Sequence, residues 1–158
     1  MPRSTTGYAS CVPTVAEIGR FKRIYVDANI FIYLIEGSGE IIDRAEEVIV
    51  ECAHNDVEIV ISALTISECL VKPYSKSDER MADIYESYLS QFAVEPLSDA
   101  MVISASKLAG ENRIKLFDAI HLEASRSAQC DGFLTNDKAL SNRLKKPDPI
   151  LFSDIGSG

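Results

Sequence analysis

The chain has 158 residues, the length of one domain, with an apolar fraction of 46%, a charged fraction of 25% and a formal net charge of −8. These proportions suit a globular chain with a single sizeable core, which buries about 70% of the unfolded surface at this length. The acidic balance argues against a broad nucleic-acid-binding surface, but leaves room for an enzyme that reaches nucleic acid through a metal and a few local cations. No apolar run approaches the ~20 residues of a membrane span, and the N-terminus lacks the apolar region of a signal peptide. The four cysteines, Cys11, Cys52, Cys69 and Cys130, are scattered with no C-x-x-C pair. They read as reduced thiols in a reducing compartment, the cytoplasm.

Residues 1–21 are small, polar and interrupted by Pro2 and Pro13, and read as a flexible extension. The globular domain is expected over 22–155. Phe21 to Asp27 reads as a strand and Asn29 to Ile35 as a short helix ending near Gly37. In "EIIDRAEEVIVECAH", Ile41, Ala45, Val48, Ile49 and Cys52 share one helical face. The β-branched "VEIVISA" reads as a strand. A helix from Thr65 to Val71 is expected to stop at Pro73, and a longer one runs from Lys76 to Gln91. "AVEPL" is a brief strand, and Ser98 caps a helix to about Asn112. Leu116 to Gln129 is a further helix, "GFLTN" a strand and Asp137 to Leu144 a short helix. "PILFSDI" reads as an edge strand, because Pro149 suits only a strand start or an edge. Strands alternating with helices indicate an α/β fold with a parallel sheet covered on both faces.

Four acids occupy comparable positions. Asp27 ends the first strand, Glu68 follows the second, Asp137 follows "FLT", and Asp118 stands near the start of the Leu116 helix. Each has a plain structural role available. Asp27 and Asp137 can be N-caps, Glu68 can close a capping box with Thr65, and Asp118 can oppose the positive end of its helix. Taken together they suggest more, because strand-to-helix junctions of a parallel sheet lie along the edge where ligands bind. Carboxylates gathered there repel one another, and a hard Mg²⁺ or Mn²⁺ ion, which takes oxygen ligands, relieves that repulsion.

At these residues the sequence resembles the PIN-domain nucleases. "VDANIF", "ISALTISECL", "LFDAIHLEAS" and "GFLTNDKAL" resemble the family's four acidic motifs, in order, from about Lys22 to Phe152. The resemblance implies a three-layer α/β/α fold with a parallel sheet of four or five strands. It makes Asp27, Glu68, Asp118 and Asp137 an acidic catalytic and metal site, with Asn29, Thr135 and Asn136 as polar supports. In size and pattern the chain is most similar to the toxin ribonucleases of VapBC-type toxin–antitoxin pairs. The resemblance therefore implies an Mg²⁺- or Mn²⁺-dependent endoribonuclease, an RNA substrate, an antitoxin partner and a homodimer. Alternatives are a PIN nuclease of RNA processing and a catalytically inactive PIN-like binding module. An aspartate-nucleophile phosphotransferase fits less well, since Asn29 stands where those enzymes usually carry a second aspartate. Lys138, Arg143, Lys145 and Lys146 beside the fourth motif are candidate RNA contacts, with Arg113 and Lys115 before the third. His121 shares a helix face with Asp118 and could donate a bond to the acid cluster, but a packing or helix-internal role is the favoured reading.

Overall fold

The structure, a computed structural model, describes residues 14–156. Residues 1–13, which hold most of the expected extension and Cys11, lie outside the described residues, as do 157 and 158. From Thr14 onward the chain is packed. A 3-10 helix over Val15–Arg20 buries Val15 and Ile18 in the core, so the expected flexible extension over 1–21 is corrected for this part. Apolar residues three apart give the short segment a face to bury.

Five strands form one parallel sheet: β1 (Arg23–Val26), β2 (Glu58–Ser62), β3 (Ala93–Glu95), β4 (Gly132–Thr135) and β5 (Asp148–Leu151), in the spatial order β3-β2-β1-β4-β5. Tyr25 pairs with Val60 on one side and with Phe133 on the other. β1 is thus the central strand, and its residues from Ile24 to Val26 are all buried. This accounts for the continuous apolar run that a parallel strand covered on both faces requires. β5 is an edge strand, as Pro149 implied. Gly132 is needed where β4 passes the core, since a Cβ there would come within 2.9 Å of the Phe21 ring.

Seven α-helices cover the sheet among the described residues: α1 (Ala28–Glu36), α2 (Glu40–His54), α3 (Ala63–Ser75), α4 (Glu79–Leu89), α5 (Asp99–Asn112), α6 (Leu116–Ser127) and α7 (Lys138–Arg143). One apolar cluster joins α1 to α4 with one face of the sheet through Ile24, Val26, Ile30, Phe31 and Tyr85. A second joins α5, α6 and α7 with Tyr25, Val60 and Phe133, whose side chains alternate to the opposite face. Cys52, Cys69 and Cys130 are free and buried, and burial pushes each thiol up to about 12, so all three pack as small apolar residues.

The bounds of α3 and α4 differ from expectation. α3 begins at Ala63 behind Ser62, whose backbone N–H donates to the Thr65 hydroxyl at 3.3 Å. The capping box therefore sits one turn earlier than the Thr65–Glu68 pairing, and Glu68 is left free for other partners. α3 also runs through Pro73 to Ser75. Pro73 is buried, and its carbonyl accepts from the N–H groups of Lys76 and Asp78 at 3.1 and 3.0 Å. Pro73 has no N–H to give the Cys69 carbonyl, so α3 continues past it with one backbone hydrogen bond fewer. Ser77, with φ of 52°, then separates α3 from α4, which starts three residues later than expected, capped by Asp78.

Candidate active site

Asp27, Glu68, Asp118 and Asp137 stand just beyond the carboxyl ends of the central strands, on α1, α3, α6 and α7 or their caps. Asp27 leaves β1 and caps α1, accepting from the Ala28 N–H at 2.7 Å through Oδ1. Its other oxygen, Oδ2, accepts from the Thr135 hydroxyl at 2.7 Å and from Asn29 Nδ2 at 3.1 Å. Asp137 caps α7 in the same manner, accepting from the Leu140 N–H at 3.0 Å. Both candidate site acids are therefore helix N-caps. The cap bonds fix each carboxylate's position and leave it further lone pairs.

The three polar supports form a frame. Asn136 donates its backbone N–H to Asn29 Oδ1 at 3.3 Å and its side-chain Nδ2 to the Tyr33 hydroxyl at 2.9 Å, while its side-chain Oδ1 accepts from the Ser153 N–H at 3.1 Å. The end of β4 is thereby tied to α1 and to the segment after β5.

The acids fall into two adjoining sets. Asp27, Glu68 and His121 present ligand atoms that all lie within 4.8 Å of one another. Asp118 and Asp137 line one small cleft together with Arg113, Lys115 and Arg143. The sets are coupled electrostatically. Desolvation, and then the charge of Asp137, raise the carboxyl pKa of Asp118 against the pull of Lys115, with a smaller push from Asp27. Burial is the larger cause and crowding by Asp137 the second, and both disfavour the charged carboxylate.

His121 is the residue that sequence reasoning undervalued. It is buried at 2% exposure, with Nδ1 2.7 Å from the Tyr25 hydroxyl, Nε2 2.7 Å from Glu68 Oε2 and Nε2 3.9 Å from Asp27 Oδ1. Its spacing from Asp118 was visible, but Tyr25 lies 96 positions away and Glu68 lies 53 away, so neither partner shows in local sequence. Burial raises the Tyr25 pKa well above the ordinary phenol value, which keeps the hydroxyl protonated.

The expected RNA-contacting cations divide. Arg143 donates to the carbonyl oxygens of Asn112 and Arg113 at 3.2 and 2.9 Å, bracing the end of α5, where Arg113 adopts a left-handed conformation. Lys146 is paired with Asp148 at 2.5 Å. Lys138 and Lys145 are exposed.

Residues 24–145 match the family model of the PIN domain. Among solved structures, the chain is similar to DNA-bound VapBC from Salmonella typhimurium, with a TM-score of 0.66 and 18% identity over 82% of this chain and 98% of that one. It is similar to VapBC2 from Rickettsia felis bound to a promoter DNA fragment, with a TM-score of 0.65 and 18% identity over 86% and 98%. It is also similar to Mycobacterium tuberculosis VapC20, described as a sarcin-ricin loop cleaving toxin, with a TM-score of 0.63 and 17% identity over 75% and 93%. Identities at this level speak to a shared fold. No curated protein matches the sequence.

Proposed function

The chain belongs to the PIN domain family, and on that premise we propose that it is a metal-dependent endoribonuclease, the toxin of a toxin–antitoxin pair. The observation that carries the reading is the clustering of carboxylates at the carboxyl edge of the sheet, where the Asp118 carboxyl is raised by burial and then by the charge of Asp137. The donors are mainly carboxylate oxygens, which fit a hard divalent cation such as Mg²⁺ or Mn²⁺. Asp27, Asp118 and Asp137 would hold it, with Glu68 completing the set. When bound, such an ion supplies charge neutralisation at a phosphodiester and eases deprotonation of water.

The chain's own residues supply position and charge. Thr135 and Asn29 hold Asp27 in one orientation, and the Leu140 N–H holds Asp137. Arg113 and Lys115 line the cleft beside Asp118, where they would take phosphates flanking the reacting one. Lys138 and Lys145 extend that cationic side. A protein of net charge −8 would thus meet RNA through a local patch, with binding that weakens as salt rises.

The structural relatives that are toxin–antitoxin complexes support an antitoxin as partner, with an Arg or Lys side chain able to pair with the acids in place of the ion. A homodimer is the proposed assembly. Ile30 and Phe31 of α1 are core residues, whereas Val71 and Tyr74 of α3 and Ile84 of α4 are exposed, which favours the α3–α4 face as the dimer surface. No helix among the described residues is long and apolar enough to cross a membrane.

The test is cleavage of RNA by the purified chain with Mg²⁺ or Mn²⁺, compared with EDTA and with Asp27→Asn. Metal-dependent cleavage lost in the variant is expected. Cleavage that survives both EDTA and the substitution would exclude the reading, and binding without cleavage would favour the inactive-module alternative.

A further inference from the structure

The proposed chemistry leaves one buried group without a role. His121 sits beneath the acids. Side-chain exposure falls from 30% at Glu68 and 13% at Asp27 to 3% at His121, so the carboxylates meet solvent and the ring does not. Its Nε2 lies 2.7 Å from Glu68 Oε2. Two bare acceptors at that distance repel, so the contact with a carboxylate requires a proton on Nε2. At the other side of the ring, Nδ1 is anchored by the Tyr25 hydroxyl at 2.7 Å. That hydroxyl reaches Ser62 Oγ at 2.8 Å and lies 3.2 Å from Thr65 Oγ1. Tyr25, Ser62 and Thr65 are all 0% exposed. A phenol hydroxyl can donate or accept, so it holds Nδ1 whichever of the two carries the shared proton.

We propose that His121, held by Tyr25, is a positioning residue that donates from Nε2 to Glu68 and sets that carboxylate's orientation, and that it is not itself a metal ligand although its ring nitrogen falls within the Asp27–Glu68–His121 group. The inference rests on the metal-nuclease reading above. Two features support it beyond the distance. A hard cation favours oxygen over imidazole nitrogen. The ring is also fixed from behind by a buried hydroxyl set that spans β1, β2 and α3, the arrangement expected of a group whose task is to hold another in place.

The experiment is ¹⁵N NMR of the histidine side chains in the full chain, with and without saturating Mg²⁺, combined with kinetics of three variants. The expected result is a protonated Nε2 on His121 that persists when Mg²⁺ is saturating. Loss of that proton on Mg²⁺ addition would make His121 a ligand and overturn the proposal. His121→Ala is expected to weaken Mn²⁺ affinity and lower kcat by about 10–100-fold, with KM for RNA unchanged. His121→Gln, whose amide can donate to Glu68, is expected to recover most of that loss, and Tyr25→Phe to fall between the two. Equal loss in folded His121→Gln and His121→Ala would also overturn the proposal. Should His121→Ala fail to fold, the NMR result on the unaltered protein decides. If the unaltered protein binds Mg²⁺ but cleaves no RNA, the nuclease reading fails while the Nε2 measurement still reports on His121; if it binds neither ion, both fail.

Discussion

Thr135 Oγ1 donates to Asp27 Oδ2 at 2.7 Å and accepts from the Asp137 N–H at 3.0 Å. One buried hydroxyl at the end of β4 therefore fixes an acid from β1 and the backbone of an acid beside it. Thr135→Val keeps the shape and removes both bonds. Leaving the buried partners unpaired costs about 1–3 kcal/mol, and metal affinity is expected to fall about tenfold or more. Thermal unfolding and Mn²⁺ calorimetry measure the two effects. A variant with unaltered Mn²⁺ affinity would show that Thr135 does not position the site.

Asp118→Asn should behave in the opposite sense without metal. Desolvation and the charges of Asp137 and Asp27 oppose ionisation of Asp118, so a neutral amide is expected to keep or raise Tm in EDTA. The unaltered protein should gain Tm on adding Mn²⁺, because an ion that binds only the native state stabilises it by mass action. The variant should lose most of that gain. An undiminished Mn²⁺ response would remove Asp118 from the ligand set.

Arg143 and Lys138 should separate structural from substrate roles. Arg143 braces the carbonyls of Asn112 and Arg113, so Arg143→Ala is expected to lower stability by about 1 kcal/mol as well as weakening RNA binding. Lys138→Ala should leave Tm unchanged. It should weaken RNA binding, with a slope of log affinity against log salt shallower by about one ion. RNA binding measured from 50 to 200 mM salt, as a range on the order used for such slopes, checks this.

Away from the site, Glu36 links three helices. It is bonded to Lys72 of α3 and accepts from the Tyr85 hydroxyl of α4 at 2.7 Å. The hydrogen bond from Lys72, and then that from Tyr85, hold its carboxyl below the ordinary 4.5. A depressed carboxylate contributes stability that is present above its unfolded value and lost as pH falls through its folded value. Glu36→Gln is therefore expected to cost about 1 kcal/mol at neutral pH, with the gap to the unaltered protein closing below pH 4.5. Tm measured from pH 7 to pH 3, a span of about four units around the carboxylate range, tests the sign.

Much of this organisation was legible in the chain. The spacing of Ile41, Ala45, Val48 and Cys52 marks α2, whose observed bounds are Glu40–His54, and Ser98 caps α5 through the Met101 N–H. Local patterns carry such elements, because the partners are three or four residues away. Asp27 and Asp137 could be placed at strand ends for the same reason. What escaped depends on tertiary partners. Pro73 ends no helix because packing holds it in one, and the Tyr25–His121–Glu68 chain joins β1, α6 and α3 across separations that no local pattern records.

The strand order also has a consequence for synthesis. The central position of β1 means that its neighbour β4 is made long afterwards, and Asp27 and Thr135 are 108 positions apart. A growing chain therefore carries Asp27 and Glu68 well before the hydroxyl and the acid that complete their setting exist. Bringing the acids together requires pairing of β4 with β1, a contact between distant parts of the chain of the kind that slows folding. On the proposed nuclease reading, Asp27 would gain its Thr135 partner, and Asp137 its place beside it, only once β4 has joined β1.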